Sequence, residues 1–228
     1  MRVLLLLVLL GAPRDRVADA RARRTDDIAA LIKQAGLTEK PTEVYLRAFK
    51  KERQVELWAG PRGKPLTLVK TYAICAASGE LGPKRAQGDL QVPEGFYEVP
   101  EFNPTSSYHL SMKVSYPNAS DRVRSHQQHP GNLIYLHGDC VSIGCIAIED
   151  ANIEEVYLIS FDAKARRIDI FPARLSDEVM GSLAAEGNPL REFWRELQPA
   201  YTQFESTRRP PAFTVDPKTG AYRVKSLK

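Results

Sequence analysis

The chain has 228 residues, of which 43% are hydrophobic and 26% charged, with a formal net charge of +4. These proportions exclude a disordered chain and leave room for one sizeable domain with appendages. The basic residues are dispersed, with isolated pairs such as Arg23-Arg24, Lys50-Lys51, Arg166-Arg167 and Arg208-Arg209, a pattern that gives no support to nucleic-acid binding.

In chain order, Met1-Arg2 precedes an unbroken apolar run over residues 3–10, and a small-residue site follows at Ala18-Asp19-Ala20. This order fits a secretory signal peptide over residues 1–20, cut after Ala20, and the run is well short of the roughly 20 residues a membrane-spanning helix needs. Arg14, Asp15 and Arg16 put unusual charge between the run and the cut. The chain is therefore expected to be exported, to the periplasm or elsewhere in the cell envelope. Disulfides are permitted there, and an odd count of three cysteines leaves at least one thiol free.

Residues 21–41 read as an N-terminal helical segment. Thr25-Asp26-Asp27 offers caps, Ile28, Leu31, Ile32 and Ala35 recur at helical spacing, and Gly36 ends the run. From Thr42 the pattern turns to β. Residues 44–49, 54–58 and 66–74 predict strands of one antiparallel sheet, with Gly60-Pro61-Arg62-Gly63 as a turn. A loop rich in glycine and proline over 79–95 leads to a strand at 96–99. A further alternating stretch covers 108–114, and 133–136 suits a short buried strand. Asp150 is placed to cap a helix through Ser160, and 167–171 reads as a last strand, closing a unit over 42–172. Residues 173–228 form an extension with helices at 177–185 and 190–204, then a loop with one strand at 222–224. Phe193, Trp194, Tyr201 and Phe204 recur there at helical spacing, as packing against the preceding unit requires. No internal repeat is present, and the glycines near Gly79 and Gly82 lack the lysine and hydroxyl spacing of a phosphate loop. The whole predicts a mainly β (α+β) architecture with flanking helices.

The reactive residues concentrate in His137-Gly138-Asp139-Cys140-Val141-Ser142-Ile143-Gly144-Cys145, between a buried strand and a helix. A thiol with an ordinary pKa of about 8.5 attacks acyl carbons poorly at neutral pH unless a base takes its proton. Cys145 is the candidate nucleophile and His137 its base. Gly144 lets the chain turn sharply, so that the amides of Ile143, Gly144 and Cys145 can face an oxyanion, and Ser142 can hold the loop's shape. Cys140 reads as a structural thiol or as a disulfide partner of Cys75 or Cys145.

The run His-Gly, a short gap, then Ser-x-Gly-Cys resembles the active-site signature of the YkuD-type L,D-transpeptidase catalytic domain family. Gly88-Asp89 with Pro93-Glu94-Gly95-Phe96-Tyr97 is similar to the family's strand entry. The resemblance spans residues 42–172, and the C-terminal extension looks like that of the murein L,D-transpeptidase-like branch. It implies a β-sandwich catalytic domain that attacks the L-centre carbonyl of the third residue of a peptidoglycan stem peptide. Cys145, His137 and Ser142 are the implied catalytic residues, with Gly138, Ile143 and Gly144 against the substrate and no cofactor. A Cys145 thioester would pass to an amine, which could belong to another stem or to an envelope protein or lipoprotein. Water in place of the amine gives a hydrolase at the same carbonyl, and a fold kept for wall binding without catalysis is a third reading. Ile143 and Ala147 stand where the wider family often has histidine and arginine, which puts donor recognition in doubt.

His126 and His129, with His137, Cys140 and Cys145, have spacings within the range of zinc ligands. Loop histidines in a polar stretch are nonetheless expected to be solvated. His109, Tyr108 and Trp58 read as packing or edge residues.

Overall fold

The computed structural model describes residues 15–126 and 128–226, so the apolar run at 3–10 lies outside the described residues. Among the described residues no helix is long and apolar enough to cross a membrane. The chain forms α1 (Arg16–Gln34), β1 (Glu43–Phe49), β2 (Gln54–Gly60), β3 (Thr67–Ala73), β4 (Ala76–Ala77), β5 (Gly95–Glu98), β6 (Phe102–Asn103) and β7 (Ser111–Lys113). Then follow α2 (Ala119–Arg124), β8 (Tyr135–His137), β9 (Ile146–Ala147), α3 (Asp150–Asp162), β10 (Ala165–Phe171), α4 (Asp177–Leu183), α5 (Arg191–Thr207), β11 (Phe213–Val215) and β12 (Tyr222–Val224).

Two five-stranded sheets make the body, in the orders β3-β2-β1-β10-β5 and β4-β9-β8-β7-β6. Strands β1 to β3 pair antiparallel as their sequences predict, but β10 joins β1 in parallel, Leu46 opposite Ile168, so the sheet is mixed. Both sheets and α3 feed one apolar core, in which Leu46, Leu57 and Ile168 meet Met112, Leu136, Ile146 and Ile153. This is the expected α+β sandwich.

Several predicted elements shift. α1 begins well ahead of Thr25, because Asp15 accepts from the amides of Val17 and Ala18 and acts as its cap. Ala20, at the expected cut, is fully buried inside this helix. The 108–114 stretch yields only the short β7, and His109 turns with φ +66°, outside any strand. The expected cap Asp150 does not cap α3; Glu149 takes that position without a side-chain bond, and the Asp150 carboxylate accepts from the Asp139 amide instead, 2.8 Å away.

The extension docks through a second apolar cluster, where Phe49, Phe96 and Phe171 of the strands meet Met180, Trp194, Leu197 and Tyr222. Two buried polar hubs fix its register. Trp194 donates to the fully buried Glu94 carboxylate at 2.8 Å, which also takes the Gly82 amide and Lys50. Arg47, 1% exposed, reaches Glu56 and Glu205 and lies 4.5 Å from the Phe204 ring centroid.

A buried charge pair is weak evidence of net stability, yet breaking one by deleting a partner is costly. Arg47→Met is therefore expected to lower unfolding free energy by about 3–5 kcal/mol in urea titration. A loss under about 1 kcal/mol would mean that Arg174 and Trp58, which also donate to Glu56, satisfy it without Arg47.

Candidate active site

Strand β8 carries His137 at its end, paired with Ser111 of β7 and Ala147 of β9. Since β8 and β9 are parallel neighbours, the 138–145 loop must run back to the start of β8, and the register leaves Cys145 one position ahead of Ile146, the partner of Leu136. The two residues line two adjoining hollows of about 130 and 310 Å³. Tyr108 and Ile143 line both, Ser142 and Val141 line the smaller, and Ser106, Leu133 and Tyr135 line the larger.

His137 is 1% exposed, and its Nδ1 makes a short hydrogen bond to the Gly138 carbonyl. A carbonyl only accepts, so Nδ1 carries the proton and Nε2 keeps its lone pair. Burial pushes the His137 pKa below its ordinary 6.5, against the opposing Gly138 bond and the Asp139 charge. The imidazole is therefore neutral at neutral pH. Burial pushes the Cys145 thiol up, opposed by a backbone hydrogen bond from Tyr135 and by the charge of Lys84. The thiol points 3.7 Å from the Leu133 carbonyl. The resting pair is thus thiol plus neutral imidazole, an arrangement suited to proton removal during attack.

The loop is tied at every turn. Cys75, adjoining β4, forms a disulfide with Cys140, their Cα atoms 5.4 Å apart, and Cys145 is the free thiol. That cross-link spans 65 residues and on chain-entropy grounds is worth about 4 kcal/mol. Ser142 Oγ donates to the Cys145 carbonyl at 2.7 Å and accepts from the Gly144 amide at 3.2 Å. The Gly144 amide, one of the three expected oxyanion donors, is thereby engaged with Ser142. Gly144 has φ +127°, and a Cβ on it would stand 3.3 Å from the Gln91 carbonyl. Gly138 lies behind the cleft, where a Cβ would come within 2.5 Å of Asp150 Oδ1. Ile143, 77% exposed, stands at the rim.

Sequence reasoning missed Tyr108, whose ring centroid lies 4.8 Å from that of His137, because it falls in a loop rather than a strand. His126 and His129 stack on each other away from the cleft residues. Among the described residues no group of three or more His, Cys, Asp or Glu could hold a metal ion.

Two outcomes follow. Gly138→Ala must push Asp150 or the loop aside, at about 1–3 kcal/mol by thermal or chemical denaturation, and should slow Cys145 alkylation; an unchanged protein would show that the close approach is unimportant. The rate of Cys145 alkylation by iodoacetamide should keep rising past the thiol's ordinary pKa of about 8.5, with an acid limb below 6.5 from His137. A plateau reached in mild acid would reveal a preformed thiolate–imidazolium pair instead.

A model of the L,D-transpeptidase catalytic domain family (YkuD) matches residues 43–159. The Escherichia coli K12 protein named "Putative L,D-transpeptidase YafK" is 37% identical over 188 residues, covering 79% of this chain and 73% of that one. Among solved structures, the helical cell shape determining protein Pgp2 of Campylobacter jejuni aligns with 78% of this chain and 65% of its own, at 20% identity and TM-score 0.49. Mycobacterium tuberculosis L,D-transpeptidase 1 aligns with 56% and 61%, at 14% identity and TM-score 0.33. The family match and the extent of the YafK likeness place this chain in the L,D-transpeptidase catalytic domain family.

Proposed function

We propose that the protein is a peptidoglycan-modifying cysteine acyltransferase in which Cys145 attacks the L-centre carbonyl of the third stem-peptide residue. The observation that carries this reading is the tautomer of His137: with Nδ1 committed to the Gly138 carbonyl, Nε2 is left basic in the cleft that also holds the free Cys145 thiol. Family membership supplies the substrate class.

In the first step Nε2 takes the thiol proton as sulfur bonds to the carbonyl carbon. The negative charge on the carbonyl oxygen is met by the backbone amides of Ile143 and Cys145. Collapse returns the proton to the departing amine of the following residue and leaves a thioester on Cys145. In the second step an acceptor amine attacks the thioester, giving up its proton to Nε2, and the thiol is restored. Ser142 serves by shaping the loop, and Ile143 and Gly138 flank the substrate's backbone and the base. The acceptor is an amine on another stem or on an envelope protein or lipoprotein.

Export to the periplasm or cell envelope belongs to the same proposal, supported by the apolar run at 3–10 and by the Cys75–Cys140 disulfide. A cut after Ala20 would divide α1 and discard Arg16, so processing that preserves this helix falls ahead of Asp15.

The test is incubation of the protein and its Cys145→Ala variant with purified sacculi and defined tetrapeptide stems, read by mass spectrometry. Cross-linked or amine-exchanged products lost in the variant are expected, with a protein–stem adduct in single turnover. Shortened or released stems alone would make it a hydrolase at the same bond, and identical products from both proteins would sink the catalytic reading.

A further inference from the structure

Tyr108 covers His137 from a segment that no sheet ladder holds. It sits between β6 and β7, is 41% exposed, and is followed by His109 in a left-handed conformation. What fixes it comes from elsewhere in the chain. Ser106 Oγ accepts from the Tyr108 amide at 3.1 Å. The guanidinium of Arg16, in the first turn of α1, donates to the Ser106 carbonyl and, at 2.8 Å, to the His109 carbonyl, the two that bracket Tyr108.

The other side of the loop is held by a relay from the same helix. His109 Nε2 lies 2.8 Å from Glu154 of α3, a carboxylate with a side chain 3% exposed. Glu154 also takes Arg23 at 2.5 Å and Arg24 at 2.8 Å. Arg16 and Arg23 are two helical turns apart and so share a face of α1. Burial alone would raise the Glu154 carboxyl, but hydrogen bonds from Arg23, Arg24 and His109 overcome it and hold the group at about 2. Glu154 therefore stays charged wherever the enzyme would be assayed. Beneath the loop, the Gly138 amide donates to the Leu110 carbonyl at 3.2 Å, and a Cβ on Gly138 would come 3.1 Å from His109 Cβ. The segment is thus layered between α1 with α3 above and the His137-Gly138 strand end below.

We propose that helix α1 positions the catalytic histidine: Arg16, and Arg23 with Arg24 acting through Glu154 and His109, hold the 106–110 loop so that Tyr108 caps His137. The inference rests on His137 serving as the base for Cys145. An aromatic ring over one face of the imidazole keeps water off it and limits its rotation, so that Nε2 remains aimed at the cleft. Arg16 and Glu154 touch neither thiol nor substrate, and their role is positioning.

The experiment is the pH profile of Cys145 alkylation by iodoacetamide in the full chain, with thermal melting in parallel, for Tyr108→Ala, Tyr108→Phe, Arg16→Ala, Glu154→Gln and His137→Ala. Tyr108→Ala and Arg16→Ala are expected to hydrate the imidazole, moving the acid limb up toward the ordinary 6.5 and slowing alkylation several-fold below about pH 6, where the wild-type base would still be neutral. Tyr108→Phe keeps the ring and should restore the wild-type limb. Tyr108→Ala leaves the core intact and should melt like wild type, which separates positioning from unfolding. If Tyr108→Ala or Arg16→Ala reproduces the wild-type profile while His137→Ala removes the acid limb, the clamp is overturned and the Cys145–His137 pairing stands. If His137→Ala itself leaves the profile unchanged, the pairing fails and the clamp falls with it.

Discussion

A partner that accepts from one imidazole nitrogen fixes the tautomer and leaves the other nitrogen its lone pair, and for His137 that partner is the carbonyl of the very next residue, Gly138. The bond fixes the tautomer, and it is made at a glycine whose place a larger side chain would lose to Asp150. Asp150 in turn holds the Asp139 amide, and the disulfide to Cys75 anchors the following residue, Cys140, to the neighbouring strand edge. The geometry of the loop that ends in Cys145 descends from these constraints.

The same economy recurs in the way both appendages are attached. Two carboxylates, Glu94 and Glu154, are buried almost completely and each gathers donors from distant parts of the chain. Glu94 ties Trp194 of α5 to the 79–95 loop, whose Gln91 carbonyl backs Gly144. Glu154 ties α1 to the loop that carries Tyr108. A buried carboxylate stripped of its donors is severely penalised, so each hub makes docking of an outer helix and the shape of the cleft parts of one cooperative choice. The N-terminal helix and the C-terminal extension thereby frame the 138–145 loop from opposite ends of the sequence.

The rim of the cleft is apolar where a charge would bind a carboxylate. Leu133, Val141 and Ile143 stand exposed around Cys145, and Ala147 is buried in β9. Lys84, whose charge opposes the rise of the Cys145 pKa, is itself held in an internal pair with Asp89.

The sequence by itself determined the candidate pair Cys145 and His137, because a thiol, an imidazole and two glycines at short spacing form a local pattern that is visible without any distant partner. Strands β1, β2, β3, β5 and β10 and helices α4 and α5 were legible from periodicity for the same reason. Tertiary structure alone decided which cysteines pair, that α1 starts at Arg16, that Asp150 serves the loop instead of its own helix, and that Tyr108 meets His137. Each of these joins residues far apart in the chain or replaces a local preference by a contact across the core, and periodicity carries no information about such contacts. Only the packing of both sheets on α3 sets those distances, and with them the burial that lowers the His137 pKa and raises that of Cys145.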